Sequence, residues 1–490
     1  MNNAAPALPS PPNLTVAWAA LVTVLVLSCF AFNAWSGAFA RDVALTDRPA
    51  VLLALVLVAA GFVHLLTVPL ILRTLRTDRA AQARCASIII AGGLAMRLAL
   101  VGSTPMFEDD WYRYLWDGGV TAHGYNPYAA SPDDAQGEAY AYSLQPLAQH
   151  SGVVIERVNH PELTTVYPPV AQAAFALAHI ISPWSLTAWR GVCLAAEIAT
   201  LWLLLALLDQ VGRSRLWVAL YWLNPLAAKE FINSAHMDAI VMPFVLGAVL
   251  LSLRQRHLSA IATLGLAIGA KFWPVLLAPL LLRPLLGAPQ RLGMAVILLA
   301  VLCLAATVPM LGTSGDPASG LTAYATHWRN NSAHYGLIER ALAVMLKPFA
   351  LDARMPGMIT RGVLAGLAGV FALWAARNPI DDATDMLRRL GLVTAAMVLL
   401  SPSQFPWYAL WVLPFAVFTP WSGLLVMTAL MPIYYASFHF LARDTYAVYR
   451  DGVVFMIWLP VWALLAYEAW RINFKGEPPL IADGPGPAHA

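Results

Sequence analysis

The chain has 490 residues, of which 59% are hydrophobic and 12% are charged, with a formal net charge of +3. A soluble domain carries roughly 25% charged residues, so this composition excludes an ordinary soluble protein and predicts a polytopic α-helical membrane protein with lipids as partners. The basic residues lie in short stretches between apolar runs and form no single patch, which argues against nucleic acid as a partner.

The apolar runs predict an all-α bundle of about 11–14 membrane helices, since each run is near the ~20 residues that a spanning helix needs. We expect a single transmembrane domain over 14–470, preceded by a disordered N-terminus (1–13) and followed by a flexible tail (471–490). The first thirteen residues carry no charge and lack the basic region of a cleaved signal peptide, so the first helix is expected to be retained. The first three predicted spans are Leu14–Trp35, Ala50–Leu72 and Ala86–Val101.

The basic cluster Arg73–Arg84 is predicted to face the cytoplasm, because cytoplasmic loops are enriched in Lys and Arg. The long polar loop Ser103–Tyr167 then lies on the outer face, which in a bacterium is the far side of the inner membrane. The next apolar segment, Val170–Ile181, spans only ~18 Å as a helix and is too short to cross. We therefore predict that it is half-inserted or lies on the surface, which keeps His236–Asp238 on the outer face.

Further apolar segments continue the bundle and alternate with basic loops. They are Leu186–Leu208, Trp217–Phe231, Ala239–Leu253, His257–Gly269, Phe272–Leu282, Leu292–Leu311, Arg361–Ala375 and Leu390–Leu400. Two more stretches, Gly312–Tyr335 and Ser401–Tyr408, are predicted to join the outer loop on its side of the membrane.

The four cysteines are Cys29, Cys85, Cys193 and Cys303, all within or beside apolar segments. They lack CxxC spacing and histidine neighbours in a metal pattern. We expect free, buried thiols and neither disulfides nor a zinc site.

Three consecutive acids, Glu108, Asp109 and Asp110, open the outer loop. One acid at a helix N-terminus caps amides and complements the macrodipole, but three adjacent acids repel one another and need a compensating charge or a function. An acid whose water is partly excluded becomes more basic, which suits a general base.

A helix beginning at Asp109 would place Asp109, Arg113 and Asp117 on one face, with Asp110 meeting Arg113. Gly124 and Pro127 are suitable residues to end it. The aromatic residues of this stretch include Tyr112 and Trp116. They fit an interfacial aromatic belt as well as a surface for stacking sugars, so they decide nothing alone.

Several motifs together resemble the GT-C superfamily of polytopic glycosyltransferases, above all the polyprenyl-phosphate-mannose-dependent mannosyltransferases of glycosyltransferase family 87 and their relatives. The motifs are Glu108–Gly118, Gly124–Tyr128, Thr165–Pro169, Trp222–Leu226, Gly269–Pro274 and Phe405–Tyr408. This chain departs from the simplest layout of that family, because its acidic loop follows the third predicted helix and not the first.

The resemblance implies an integral membrane enzyme with its active site on the outer face and with short surface helices in a large outer loop. It implies transfer of a hexose, mannose first, from a polyprenyl-phosphate donor to a lipid-linked, glycolipid or glycan acceptor. By motif position, Asp109 and Asp110 would supply the catalytic base or, with a partner, hold a divalent metal such as Mg²⁺ or Mn²⁺. The metal requirement stays open.

Chemistry supports this assignment, because the acceptor hydroxyl must lose a proton and the departing phosphate needs a cation. Direct displacement inverts the anomeric centre and requires one base. The candidate cations are Lys271, Arg329 and Arg113. Lys271 could equally reach the interface by snorkelling, and Arg113 could orient the acids through i±4 pairing.

Glu230, His236 and Asp238 form a second predicted outer cluster, each beside an apolar segment. Ionisable residues at membrane depth are costly and usually functional, so we predict recognition of sugar hydroxyls, or a metal site that combines His236 with carboxylates. Arg190 and Glu197 share a helix face and are expected to make internal contacts.

Further side chains are predicted to bind substrate from their positions in the motifs and outer segments. They are Glu108, Tyr112, Trp116, Asp117, Tyr167, Trp328, Asn331, His334, Gln404, Trp407 and Tyr408. The alternative function is a transporter or flippase of lipid-linked sugars, although such proteins tend to show repeated halves and no repeat is visible here. A third alternative, an inactive scaffold, is disfavoured by the density of ionisable and aromatic residues in the outer segments.

Overall fold

The computed structural model describes residues 13–311, 319–349, 352–477 and 480–481. Within these residues every regular element is helical, apart from an isolated β-bridge between Asn330 and Ser403. The all-helical class is therefore confirmed. The predictions for residues 1–12 and for most of the C-terminal tail lie outside the described residues.

The first helices form an N-terminal layer in which α1 packs on α4. The helices are α1 (Leu14–Trp35), α2 (Ala50–Leu65), α3 (Thr67–Thr74) and α4 (Arg79–Leu100). Helix α4 begins seven residues before the predicted span at Ala86, because the Asp78 carboxylate caps the amide of Ala81 at 2.7 Å and makes the basic turn helical.

The acidic loop carries short helices, as the resemblance implied. They are α5 (Asp110–Ala122), two 3₁₀ turns (Asp134–Gln136 and Glu138–Tyr140), α6 (Leu144–Ser151) and α7 (Val153–Glu156). Helix α5 begins one residue after Asp109 and ends just before Gly124, which has the positive φ of +78° that a helix stop favours. Its start and stop match the prediction.

The middle of the chain contains α8 (Pro169–Ile181) and α9 (Leu186–Gln210), followed by a broken stretch. That stretch contains a 3₁₀ turn (Arg215–Val218), α10 (Ala219–Trp222), α11 (Pro225–Ala228), a π-helical turn (Lys229–Asn233), a 3₁₀ turn (Met237–Ile240) and α12 (Val241–Leu253). The predicted continuous helix over Trp217–Phe231 is wrong. Pro225 cannot donate a backbone bond, and the Asn224 side chain caps a new helix there.

Residues Pro225–Asn233 and Met237–Leu253 are bent by 105° relative to each other, so the chain turns sharply at 234–236. The backbone amide of His236 donates to the carbonyl of Glu230 at 3.0 Å and closes this turn. The turn brings the ionisable residues of the segment towards the acidic loop.

The C-terminal half completes the bundle. Its helices are α13 (His257–Ala270), α14 (Ala278–Leu282), α15 (Pro289–Leu311), α16 (Gly320–His327), α17 (Ala333–Leu346), α18 (Met355–Ala375), α19 (Ala383–Leu400), α20 (Pro406–Ala409), α21 (Leu413–Ala416), α22 (Ser422–Leu430), α23 (Ala436–Leu441), α24 (Tyr446–Val448) and α25 (Phe455–Lys475). A 3₁₀ turn, Trp273–Leu277, precedes α14, so the predicted helix Phe272–Leu282 is split. The last helix extends past the predicted end at Trp470.

Eight helices of the described residues are long and apolar enough to cross a membrane, or nine if the bent pair counts as one span. Three shorter apolar helices, including α8 and α13, would be needed to reach the predicted 11–14. The chain is an integral, multi-pass membrane protein. Helix α8 packs between α5, α9 and α13, an arrangement compatible with its predicted partial insertion.

Buried charges inside the bundle are paired or bonded. The Arg97 guanidinium lies 2.6 Å from the Glu197 carboxylate, with both side chains fully buried, and stacks over Trp222 at 3.6 Å. Arg190 donates instead to the carbonyls of Val101 and Asn233. The predicted internal contacts of Arg190 and Glu197 are confirmed. All four cysteines are free, and three are buried while Cys303 is half-buried.

Candidate active site

A cavity of about 750 Å³ lies between the acidic loop and the C-terminal helices. The polar residues of its lining include Glu108, Asp109, Asp110, Arg113, Asn159, His160, Asp238 and Lys271. Aromatic rings also line it, among them Tyr167, Tyr324, Trp328, Trp407, Tyr408 and Trp411. The predicted clustering of the acids with Asp238 and Lys271 is therefore observed.

Asn159 holds the two aspartates side by side. Its side-chain amide donates to Asp109 Oδ1 at 3.0 Å and to Asp110 Oδ1 at 2.8 Å. Asp109 occupies the N-cap position of α5, yet its side chain caps no amide. The helix-capping alternative thus does not account for Asp109.

The Glu108 side chain is nearly buried and contacts groups of the protein interior. Its side chain is 7% exposed, and Tyr435 Oη donates to its Oε1 at 3.2 Å. Burial raises the pKa of Glu108 to about 8, although the nearby ammonium of Lys229 acts in the opposite direction. The preceding residue, Phe107, has a left-handed backbone (φ +60°), a strained conformation of the kind that clusters at functional sites.

The π-helical turn of the middle segment supplies the next buried group. Tyr435 Oη donates to Glu230 Oε1 at 2.6 Å, so one hydroxyl contacts both glutamates. The Lys229 ammonium lies 3.5 Å from Glu230 Oε2 and also donates to Tyr435 Oη. π-helical turns are frequent at functional sites, because they place side chains that a regular α-helix would rotate away.

His236 lies beside these glutamates and is fully buried. Its Nε2 is 3.5 Å from both Glu108 Oε2 and Glu230 Oε2, and its Nδ1 is 4.0 Å from Asp110 Oδ2. Neither ring nitrogen has a hydrogen-bond partner, and the ring stacks on Trp407 at 3.7 Å.

Asp238 and Lys271 form an ion pair on another part of the cavity wall. Lys271 Nζ lies 2.6 Å from Asp238 Oδ1, which also accepts from Trp411 Nε1 at 2.7 Å. The Lys271 side chain is 21% exposed and its ammonium lies 4.8 Å from the ring centres of Tyr408 and Trp411. Because an ammonium has three N–H donors, this geometry leaves Lys271 able to bind a second anion.

Comparison with known proteins decides the family. A family model described as the N-terminal domain of alpha-(1->6)-mannopyranosyltransferases matches residues 16–286, more than half of the chain. The chain belongs to this family. It is a membrane mannosyltransferase, and the resemblance inferred from the acidic motif is confirmed. No curated protein and no solved structure matched the chain.

In this mannosyltransferase Arg113 does not pair with the acids, so that expectation is wrong. Its guanidinium donates to the backbone carbonyls of Asn159, His160 and Leu163. A planar group with five donors suits this cluster of carbonyls, and the contact fixes the turn that presents Asn159.

Several predicted site residues lie away from the cavity of the mannosyltransferase. Arg329 pairs with Glu339 at 2.5 Å on the surface, and Gln404 donates to the carbonyls of Val398 and Leu399. Glu230 and His236 are also absent from the cavity lining. Tyr112, Trp116, Asp117, Asn331 and His334 lie outside it as well. They are used in packing: Trp116 stacks on Trp184, Gln172 donates to the Asp117 carboxylate, and Tyr112 accepts from Arg157.

The candidate site also contains residues that the sequence did not single out. They are Asn159, Lys229, Tyr324, Trp411 and Tyr435. A signal existed for Lys229, because it adjoins Glu230 in an otherwise apolar run and charges at membrane depth are rarely incidental. No comparable feature of the sequence singles out Asn159 or Tyr435.

Part of the cavity lining is apolar. It consists of Val275 and Leu276 of the turn before α14, of Leu364, Ala365 and Ala368 of α18, and of Met397 and Leu400 of α19. The same space is thus lined both by carboxylates and by a hydrocarbon wall within the membrane bundle.

Proposed function

We propose that this mannosyltransferase transfers a mannosyl residue, in α-(1→6) linkage, from a polyprenyl-phosphate donor to an acceptor at the outer face of the bacterial inner membrane. The acceptor is a lipid-linked glycan, a glycolipid or a polysaccharide. The observation that carries this proposal is one cavity whose lining combines carboxylates with an apolar group of side chains from α18 and α19. A nucleotide sugar would need no such apolar group, whereas a polyprenyl phosphate sugar requires both kinds of lining.

The apolar wall contributed by α18 and α19 fits the isoprenoid chain of the donor. The phosphate then meets Lys271, whose ammonium is oriented by Asp238 and by two aromatic rings. A preorganised cation at the leaving group stabilises the charge that develops as the bond to phosphate breaks.

The reaction is a direct displacement at C1 of the mannose. The acceptor oxygen attacks C1 and loses its proton to a carboxylate, while the bond between C1 and the phosphate oxygen breaks and polyprenyl phosphate leaves. Because one displacement inverts the anomeric centre, an α product requires a β-linked donor.

Asp109 and Asp110 are the two candidates for the base. Both line the cavity, and Asn159 fixes an oxygen of each. Asp110 lies closer to the interior, 4.0 Å from the fully buried His236, while Asp109 is exposed. We therefore assign the base to Asp110 and acceptor binding to Asp109.

The test is transfer by purified protein in lipid nanodiscs, with a β-mannosyl-phosphoryl polyprenol and an α-mannoside acceptor. Mass spectrometry and linkage analysis would identify the product. We expect a new α-(1→6) mannosyl linkage from this donor and none from GDP-mannose or the α-linked donor. Equal transfer from GDP-mannose would refute the lipid-linked donor.

A further inference from the structure

We propose that Glu108, Glu230 and His236 bind a divalent transition-metal ion, buried behind the acids of the cavity. Glu108 Oε2, Glu230 Oε2 and His236 Nε2 face one another, and the ligand atoms of these residues lie within 4.8 Å of one another. This is the only such group among the residues that the structure describes.

The distances within this group suit ligands that share an ion. His236 Nε2 is 3.5 Å from each carboxylate oxygen, beyond the roughly 2.7–3.2 Å of an N–H···O hydrogen bond. Donors bound at about 2.1 Å around a tetrahedral ion lie roughly 3.4 Å apart. The gap between the three side chains thus has the size that an ion needs.

A buried histidine without a partner is the second observation. Both ring nitrogens of His236 lack a hydrogen bond although the side chain is fully buried. Leaving a buried polar atom unsatisfied costs about 1–3 kcal/mol, and buried groups therefore nearly always have a partner. An ion on Nε2 would satisfy the nitrogen that faces the two glutamates.

Charge also favours a cation at this position. Glu108, Asp109, Asp110 and Glu230 lie close together, and the ammonium of Lys229 is the cation in contact with Glu230. A divalent ion would stabilise the ionised form of these carboxyl groups in a region where burial makes repulsion between them strong.

The surroundings of the three ligands match those of bound metals. Tyr435 Oη lies within hydrogen-bond distance of the Oε1 atoms of both glutamates, 2.6 Å from Glu230 and 3.2 Å from Glu108, while their Oε2 atoms lie beside His236. Metal-bound histidines usually donate their other N–H to a carboxylate, and Asp110 Oδ2 lies on the Nδ1 side of His236.

The ligand chemistry selects the class of ion. One imidazole and two carboxylates suit Zn²⁺ or Mn²⁺ better than Mg²⁺, which prefers oxygen ligands and retains water. Glu108 lines the cavity while Glu230 and His236 do not, so the ion would lie behind the wall. It would position Asp110 through His236. This role in mannosyl transfer rests on the proposed function, whereas the proposal that the site binds an ion does not.

The experiment measures metal in the full-length protein, purified without a polyhistidine tag, exposed to Mn²⁺ or Zn²⁺ and then desalted. We expect about one ion per chain by elemental mass spectrometry, and an X-ray absorption spectrum with nitrogen and oxygen ligands. His236→Gln and Glu230→Gln should each reduce the bound ion at least tenfold. The control His257→Gln, at the distant start of α13, should retain it.

The outcomes separate the two proposals. Wild-type protein that holds no ion yet transfers mannose would overturn the metal site and leave the proposed function intact. Full ion binding by folded, monodisperse His236→Gln protein would also overturn it. Ion binding by the wild type without any transfer from the polyprenyl donor would support the site and refute the proposed function. The wild-type measurements stand even if both variants fail to fold.

Discussion

At the residue scale, Asn159 explains how two adjacent aspartates can share one wall. Its single side-chain amide donates to both, so each keeps one carboxylate oxygen that Asn159 does not contact. A base needs such an oxygen, because a fully hydrogen-bonded carboxylate is less able to accept a proton.

Asp110→Asn should lower kcat by about 10²–10⁴-fold, the usual contribution of a general base. Asp109→Asn should raise KM for the acceptor and change kcat less. The exposed Asp133→Asn serves as a control with the same change of charge. Steady-state kinetics with varied acceptor would check this, and a larger kcat loss in Asp109→Asn would reverse the two roles.

Lys271→Met should weaken binding of polyprenyl phosphate, the leaving product, by about ten- to a hundredfold. A hydrogen bond to a charged group contributes about 1.5–3 kcal/mol, and this variant removes it. Lys271→Arg should retain part of the affinity, since it keeps the charge. Product inhibition constants measure the effect, with Lys347→Met as the matched surface control. Unchanged inhibition in Lys271→Met would place the phosphate elsewhere.

The acids and Lys271 could be predicted from the sequence because charge is rare in this chain and therefore conspicuous. Tyr435 could not be predicted, because it meets Glu230 across 205 positions and tyrosines are common in membrane helices. The pairing of Arg329 with Glu339 could not be predicted for a related reason: Glu339 lies on the next helix, and a sequence does not show which of two anions an arginine contacts.

At the element scale, α5 is held against α8 by a close backbone contact. A Cβ added at Gly118 would lie 2.4 Å from the carbonyl oxygen of Phe175, which leaves no room for a side chain. The position of the acids at the start of α5 therefore depends on a small residue two turns further along.

Gly118→Ala should destabilise the protein by about 1–3 kcal/mol through overpacking and should lower transfer by displacing α5. Gly191→Ala is the matched control, because a Cβ at this helical position meets nothing within 4 Å. Thermal unfolding in detergent measures the difference. A Gly118→Ala protein with unchanged stability and activity would show that α5 can shift freely.

The Arg97–Glu197 pair connects α4 and α9 inside the bundle. Arg97→Met alone should cost about 3–5 kcal/mol, because it leaves a buried carboxylate without its partner. The double variant Arg97→Met/Glu197→Leu should recover much of this loss. Unfolding free energies of the two variants test the coupling, and equal loss in both would contradict it.

The positions of helices such as α1, α5 and α9 could be predicted from the pattern of apolar residues and from the residues that begin and end a helix. The break in the stretch from Trp217 to Asp238 could not be predicted, because most of its residues are apolar and hydropathy cannot distinguish a straight helix from one broken at Asn224–Pro225. The π-helical turn depends on tertiary contacts of Lys229 and Glu230 with Tyr435, which local propensity does not encode.

At the scale of the whole molecule, contacts between distant loops indicate which segments share a face. Arg41, between α1 and α2, donates to the carbonyl of Arg157 in the acidic loop, and Arg443 donates to the carbonyl of Thr46. These three loops therefore lie on one side of the bundle, which the positive-inside rule assigns to the outer face.

Cysteine labelling would test this assignment. In a variant that lacks the four native cysteines, Tyr142→Cys and Asp444→Cys should react with an impermeant maleimide in intact cells. Gln255→Cys and Gly287→Cys should react only after permeabilisation. Labelling of Tyr142→Cys and Gln255→Cys from the same side would refute the topology and the outer active site.

The match to the mannosyltransferase family ends at residue 286, but the cavity lining includes residues beyond that position. The carboxylates and Lys271 come from the matched part, whereas the hydrocarbon wall of α18 and α19 comes from the part beyond it. Under the proposed function, the residues that carry out sugar transfer and most of the wall that fits the carrier chain are thus encoded in separate stretches of the gene. Carrier length or saturation could change through substitutions in the second stretch while the reaction itself stays the same.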